Sequence, residues 1–237
     1  MVNGESLLDT GPGRLFVKQL RWGYRASGVT PTAFVGALDA KALIRDATWA
    51  VGRHLYSDDR LEVSRRSPDY TELQQFATAA LEALSKLSTL DSPQIHQGTI
   101  SSLAAPVVCN DPWHGLPIGS FWTSTPLNDE DSWLLCGENL RRNDPRWEVH
   151  FDITRVRLAR IDSARDWIDL IDSNPLVVEG DKYPDWPAIA ESWDAVHLSP
   201  TGLLLAHPPR YATVAHWSAV ATAWLNRPPD MELRAVR

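Results

Sequence analysis

The chain has 237 residues and a formal net charge of −7, with 43% hydrophobic and 22% charged residues. That balance is enough for a core of ordinary size and excludes wholesale disorder. The acidic surplus excludes a nucleic-acid groove spread over the whole surface, and the lack of any run of about 18 apolar residues excludes a membrane-spanning helix.

Residues 1–13 hold Gly, Asp and Pro and are expected to form a flexible lead-in. They carry no secretory signal, so a cytoplasmic protein with Cys109 and Cys136 both reduced is expected. From Arg14 to Arg25 the pattern reads as a first strand, because Leu20, Trp22 and Tyr24 alternate with Gln19, Arg21, Gly23 and Arg25. Thr30 before Pro31 marks a helix start, and Ala37, Ile44, Ala47, Val51 and Leu55 share one side of a helix running to about residue 55. Asp69 with Glu72 predicts a capping box for a second helix, whose apolar stripe is Leu73, Phe76, Ala80, Leu81, Leu84 and Leu87.

After Asp91, prolines at 93, 106, 112 and 117 break the chain into short pieces. Strands are predicted at 118–125, 132–136, 147–160, 193–199 and 211–225, with a helix over 162–171 capped by Ser163. An N-terminal strand, then helices, then a run of strands give an α+β fold, expected as one compact domain over residues 1–237.

Three stretches invite a chemical reading. In "WGYRASG" (22–28), Arg25 beside Tyr24 and Ser27 has a guanidinium fork able to grip a phosphate or carboxylate, or is simply a solvent-facing arginine. In "GSFWTSTPL" (119–127), an extended backbone sends Ser120, Trp122 and Ser124 one way and Phe121, Thr123 and Thr125 the other, so each face mixes a ring with hydroxyls. Such a strand either bonds its hydroxyls to neighbouring backbone or stacks a flat heterocycle and meets a ribose. In "ESWDAVHLSP" (191–200), Asp194 opens a strand as a turn residue or an acid, and His197 is a core group or a catalyst.

Other chemistries lack their residues. There is no Gly-x-x-x-x-Gly-Lys, no Gly-x-Gly-x-x-Gly and no Gly-x-Ser-x-Gly. No His or Cys pair stands at metal-ligand spacing, so no metal is expected.

In chain order, Tyr24-Arg25, the helices, Phe121-Trp122-Thr123-Ser124-Thr125 and the strand opening at Asp194 resemble the ADP-ribosyltransferase toxin superfamily of the arginine-serine-glutamate class. The resemblance implies a split β-sheet core with N-terminal helices packed against it, and NAD as substrate. It implies that Arg25, with Tyr24 and Ser27 beside it, binds the NAD phosphates and that Thr123 braces the cleft. Ser124 and Thr125 would shape that cleft, and Phe121 or Trp122 would pack near the nicotinamide. The family's Glu-x-Glu is absent, which leaves Asp194 or His197, and otherwise Glu191 or Glu148, for the third motif. His197 suits the subclass with histidine and tyrosine less well, because the resemblance places that histidine on the first strand. The implied activity is transfer of ADP-ribose from NAD to a protein or nucleic acid, as an intracellular toxin or effector with a neutralising antitoxin or immunity protein. Plain NAD hydrolysis and a non-catalytic α+β binding module are the alternatives, and no membrane partner is implied.

Overall fold

The computed structural model describes residues 5–25, 28–56, 63–100, 103–111, 113, 115–128, 130–136, 143–228 and 230–236. The segment expected as the first strand is a helix, α1 (Gly11–Tyr24). Leu15, Phe16, Val17 and Leu20 are buried together on it, a grouping that a period of two cannot produce and a period of 3.6 can. The brief alternation of Leu20, Trp22 and Tyr24 misled because Trp22 lies exposed on the far side of the helix. Thr10 caps α1 by accepting from the Gly13 N–H, and its own hydroxyl donates to the Leu204 carbonyl at 2.6 Å. The lead-in is also more than a tail, since Leu7 is fully buried.

Thr30 does start a helix, accepting from the Ala33 N–H, but α2 (Pro31–Gly36) is short and α3 (Ala40–Tyr56) begins anew. Asp39 restarts the chain by accepting from the Ala42 N–H at 2.7 Å. The expected capping box of α4 (Tyr70–Ser85) is not made, because Asp69 and Glu72 both turn to the Arg21 guanidinium on α1. An ion-pair partner on a neighbouring helix has outcompeted the local cap.

The strands follow as β1 (Gln94–Gln97), β2 (Cys109–Asn110), β3 (Pro117–Ile118), β4 (Phe121–Ser124), β5 (Pro126–Leu127), β6 (Glu130–Asp131), β7 (Arg146–His150) and β8 (Leu158–Ile161). Then come α5 (Ala164–Ser173), β9 (Pro175–Val178), β10 (Asp181–Pro184), α6 (Trp186–Ser192), β11 (Ala195–Leu198), α7 (Pro200–Leu205), β12 (Ala221–Trp224) and β13 (Glu232–Ala235). Seven strands form one sheet in the order β13-β7-β1-β4-β12-β11-β8, antiparallel except for β8 beside β11. The fold is α+β, with the larger helices preceding the first strand.

The strand expected over 147–160 is two, β7 and β8, separated by a turn that Asp152 caps. The stretch 132–136 closes in a single 3-10 turn, and 211–225 holds another such turn, Val214–Trp217, before β12. Ser163 caps α5 as expected, accepting from the Asp166 N–H. The larger core joins the helices to one side of the sheet through Phe16, Ile44, Phe76, Leu198 and Ala223. A smaller core around Val149, Phe151, Ala195, Trp224 and Met231 gathers residues of β7, β11 and β12 with the chain beyond them. Among the described residues no helix is long and apolar enough to cross a membrane.

Candidate functional site

β1 pairs along its whole length with β7, and β4 along its whole length with β12, yet β1 and β4 meet at one position only, Ile95 opposite Ser124. Beyond that pair the two strands part. His96 Nδ1 reaches across to the Trp122 carbonyl at 2.8 Å, so a side chain stands where a ladder hydrogen bond would run. A carbonyl only accepts, so the proton sits on Nδ1 and the imidazole is held in one orientation.

The parting opens a cleft of about 490 Å³. Its walls are His96 and Gln97 from β1, Phe121 and Trp122 from β4, and Trp217 from the turn before β12. The His96 ring stacks on Phe121, centroids 4.5 Å apart at 25°. Trp122 meets Trp217 edge-on at 4.9 Å and Trp133 at 6.2 Å, geometries that aromatic quadrupoles favour.

Buried polar groups hold this wall in place. Asp131, with no exposed surface, accepts from Gln97 Nε2 at 2.8 Å, from Arg146 Nη2 at 3.1 Å and from the N–H groups of Trp133 and Leu134. One carboxylate therefore fixes residues on both sides of the opening. The roof is the β2–β3 hairpin, which Trp186 anchors by donating its indole N–H to the Gly115 carbonyl and its backbone N–H to Asn110. Gly119 has φ +81°, and a Cβ there would stand 2.2 Å from the Val107 carbonyl oxygen, so the turn into β4 requires glycine.

The described lining contains no Lys or Arg, and its one carboxylate, Asp111, accepts from the Trp113 N–H at 2.7 Å. With tryptophans and one carboxylate in its described lining and no Lys or Arg, the cleft suits a flat ring bearing positive charge better than a phosphate.

The motif residues divide between this cleft and the core. Phe121 and Trp122 line the opening. Thr123 and Ser124 are fully buried: Thr123 Oγ1 accepts from Trp224 Nε1 at 2.9 Å, and Ser124 Oγ donates to the Ile95 carbonyl at 3.2 Å. Thr125 is half-buried outside the lining, its Oγ1 without a partner and its N–H on Ser132 Oγ.

Arg25 and Tyr24 are not in the cleft. Arg25 follows the last turn of α1 and lies over the exposed Trp22 ring, while Tyr24 packs edge-on against Phe34 and Phe76 in the helical layer. Ser27 lies outside the described residues.

The third-motif candidates are occupied elsewhere. Asp194 accepts from the Arg157 backbone N–H at 2.9 Å and from its Nη2 at 2.7 Å. Burial pushes the Asp194 carboxyl up, but the hydrogen bonds from Arg157 outweigh it and hold the group below its ordinary range. The register sets Ala195 opposite Trp224, and Trp224 opposite Phe121, so Asp194 sits at the same sheet end, about 10 Å away by two strand spacings. His197 is sealed in the core, with Nδ1 2.9 Å from Thr222 Oγ1, and burial and the nearby Arg160 lower its pKa to about 3. Glu191 lends only its carbonyl to Arg157, and Glu148 pairs with His150 along β7.

The sequence reading missed His96, Gln97, Trp133 and Trp217. Their signal was faint: "QIHQ" is a four-residue strand between prolines, and the tryptophans stood out only as part of an unusual total of eleven. Compared with protein-family models, with curated proteins and with solved structures, the chain matches no family, no curated protein and no structure.

Proposed function

We propose that the cleft between β1 and β4 binds the nicotinamide-ribose end of NAD, and that the protein breaks the bond between that ring and its ribose. The observation that carries this reading is the His96 imidazole stacked at 4.5 Å on Phe121 at the mouth of an aromatic opening in a sheet. Of the motif resemblance it keeps Phe121 and Trp122 and reassigns the rest, with Asp111 standing in for the third-motif acid. The first strand is β1, and the polar residue it contributes is His96 in place of Arg25.

The chemistry asked of the cleft is positioning and charge. The pyridinium ring of NAD lies against Trp122 and Trp217, with Asp111 supplying negative charge near the sugar as it becomes cationic. The C–N electron pair leaves with neutral nicotinamide. The ribosyl cation is then captured by an acceptor oxygen or nitrogen, which gives up its proton. The pyrophosphate and adenosine extend beyond the described lining, which has no cation to receive them. A protein, a nucleic acid or water serves as acceptor.

Calorimetry with NAD and release of free nicotinamide test the reading. Wild-type protein is expected to bind NAD, and Phe121→Ala and His96→Ala are expected to weaken that binding at least tenfold, with their melting temperatures checked alongside. Absence of both binding and release sinks the proposal. Binding without release with any acceptor favours a non-catalytic module, for which the engagement of Asp194 by Arg157 is the supporting observation.

A further inference from the structure

From the outer face of α1 and α3 we infer a second, independent function: docking on an anionic lipid surface. The two helices run antiparallel, since Gly11 is packed so closely on His54 that a Cβ would stand 2.3 Å from its ring, and Gln19 hydrogen-bonds Asp46 further along. Residues one helical turn apart then line up on the solvent side. On α1 these are Arg14, Lys18, Trp22 and Arg25, and on α3 they are Arg45, Trp49, Arg53 and Tyr56.

Two features of this face are unusual for an ordinary surface. Its rings are large and open: Trp22 is 77% exposed, Tyr56 81% and Trp49 46%. Each indole also carries its own cation, with the Arg25 guanidinium 5.6 Å above Trp22 and that of Arg53 5.1 Å above Trp49. Among the described residues the nearby acidic groups are engaged, Asp69 and Glu72 both with Arg21. Asp46 is mostly covered and paired with Arg45, while Asp9 and Asp39, flanking the two helices, cap local backbone. In a chain of net charge −7, the described residues of this side thus carry more basic than acidic groups, together with its open rings.

A bilayer surface suits this arrangement better than a single nucleic-acid strand does. Stacked bases need bare ring faces along a groove, whereas the two indoles each have one face taken by a guanidinium and stand on two side-by-side helices. At a bilayer the same pairing is productive, because the indole enters the headgroup region while its arginine stays level with the phosphates. The sequence reading excluded membranes by looking for a spanning segment, a test to which such a face is invisible.

Co-sedimentation of the full chain with phosphatidylcholine vesicles, with and without phosphatidylserine, is the experiment. The protein is expected to pellet with the anionic vesicles only and to be released by salt. Arg25→Glu with Arg53→Glu should lower the partition coefficient by more than about a hundredfold, and separately Trp22→Ser with Trp49→Ser by at least about tenfold. Circular dichroism and nicotinamide release should be unchanged, because neither pair touches the core or the cleft. Equal binding to both vesicle types, no binding to either, or undiminished binding by the folded variants overturns the inference. So does tight binding of a labelled oligouridine strand at protein concentrations where anionic vesicles bind nothing. NAD binding is measured separately, so failure here leaves the cleft reading intact.

Discussion

The indole N–H of Trp224 donates to the hydroxyl of Thr123 across the β4–β12 pair, at 2.9 Å with both residues fully buried. The hydroxyl that the motif resemblance assigned to bracing the cleft therefore holds a core tryptophan, which in turn packs on Phe151. Thr123→Val keeps the shape and orphans a buried donor. It is expected to cost about 1–3 kcal/mol in urea unfolding. Thr123→Ser should recover most of that loss, and neither change should alter NAD affinity.

Asp194 gives the parallel case for an acid. Its carboxylate clasps the start of β8 to the start of β11 through Arg157, half of whose side chain is in solvent. Asp194→Asn removes the charge while leaving one acceptor oxygen, so a loss of about 1 kcal/mol is expected. Nicotinamide release should be unaffected. A collapse of turnover with unchanged folding would instead place Asp194 in the chemistry.

How far the sequence disclosed this molecule depended on whether a signal was local. The Ser163 cap, the Thr30–Pro31 start and the apolar stripe of α4 are set by neighbours within one turn, and each is seen in the structure. Arg14 to Arg25 failed because a seven-residue alternation was weighed above the helical grouping of Leu15, Phe16 and Leu20. The cleft was harder still. It exists because β1 leaves β4 after Ile95, a fact of pairing between residues about thirty positions apart that no local pattern encodes. Phe121 and Trp122 were legible as candidates since two rings meet a row of hydroxyls, whereas the burial of Thr123 and Ser124 depended on the partner strands.

Two buried histidines make the fold sensitive to acid. Burial lowers the His197 pKa to about 3, and burial with the nearby His54, against a hydrogen bond to the Leu203 carbonyl, lowers that of His207 to about 4. Unfolding restores both to about 6.5, so the unfolded chain binds more protons below that pH. Their stabilisation is complete above about pH 6.5 and is lost as pH falls toward the folded values. Between about pH 6 and pH 4 each histidine is expected to cost roughly 1.4 kcal/mol per pH unit. Urea midpoints measured from pH 7.5 downward check this, and the slope should fall by roughly 1.4 kcal/mol per pH unit in a folded His197→Leu variant. An unchanged slope would show that His197 titrates normally.

The charge character of the cleft yields the sharpest test of what it was built to hold. Its described lining offers indole and phenyl faces, two imidazoles and one carboxylate, and no Lys or Arg. A site for a neutral planar ring would show little preference between nicotinamide and its N-methylated cation, which have nearly the same shape. Here the cation gains attraction from the Trp122 and Trp217 faces, which for partly desolvated pairs is worth about 0.5–2 kcal/mol. The expected outcome is that 1-methylnicotinamide binds roughly 2- to 30-fold more tightly than nicotinamide. Trp217→Leu should reduce that ratio toward unity while sparing neutral nicotinamide, because leucine restores apolar contact without a π face. Asp111→Asn should reduce it as well, and more strongly at low salt, since Coulomb attraction is screened as ions are added. Equal affinities for the two ligands, or a preference for the neutral one, would mean that the cleft does not recognise the pyridinium, and the assignment to NAD would fall with it.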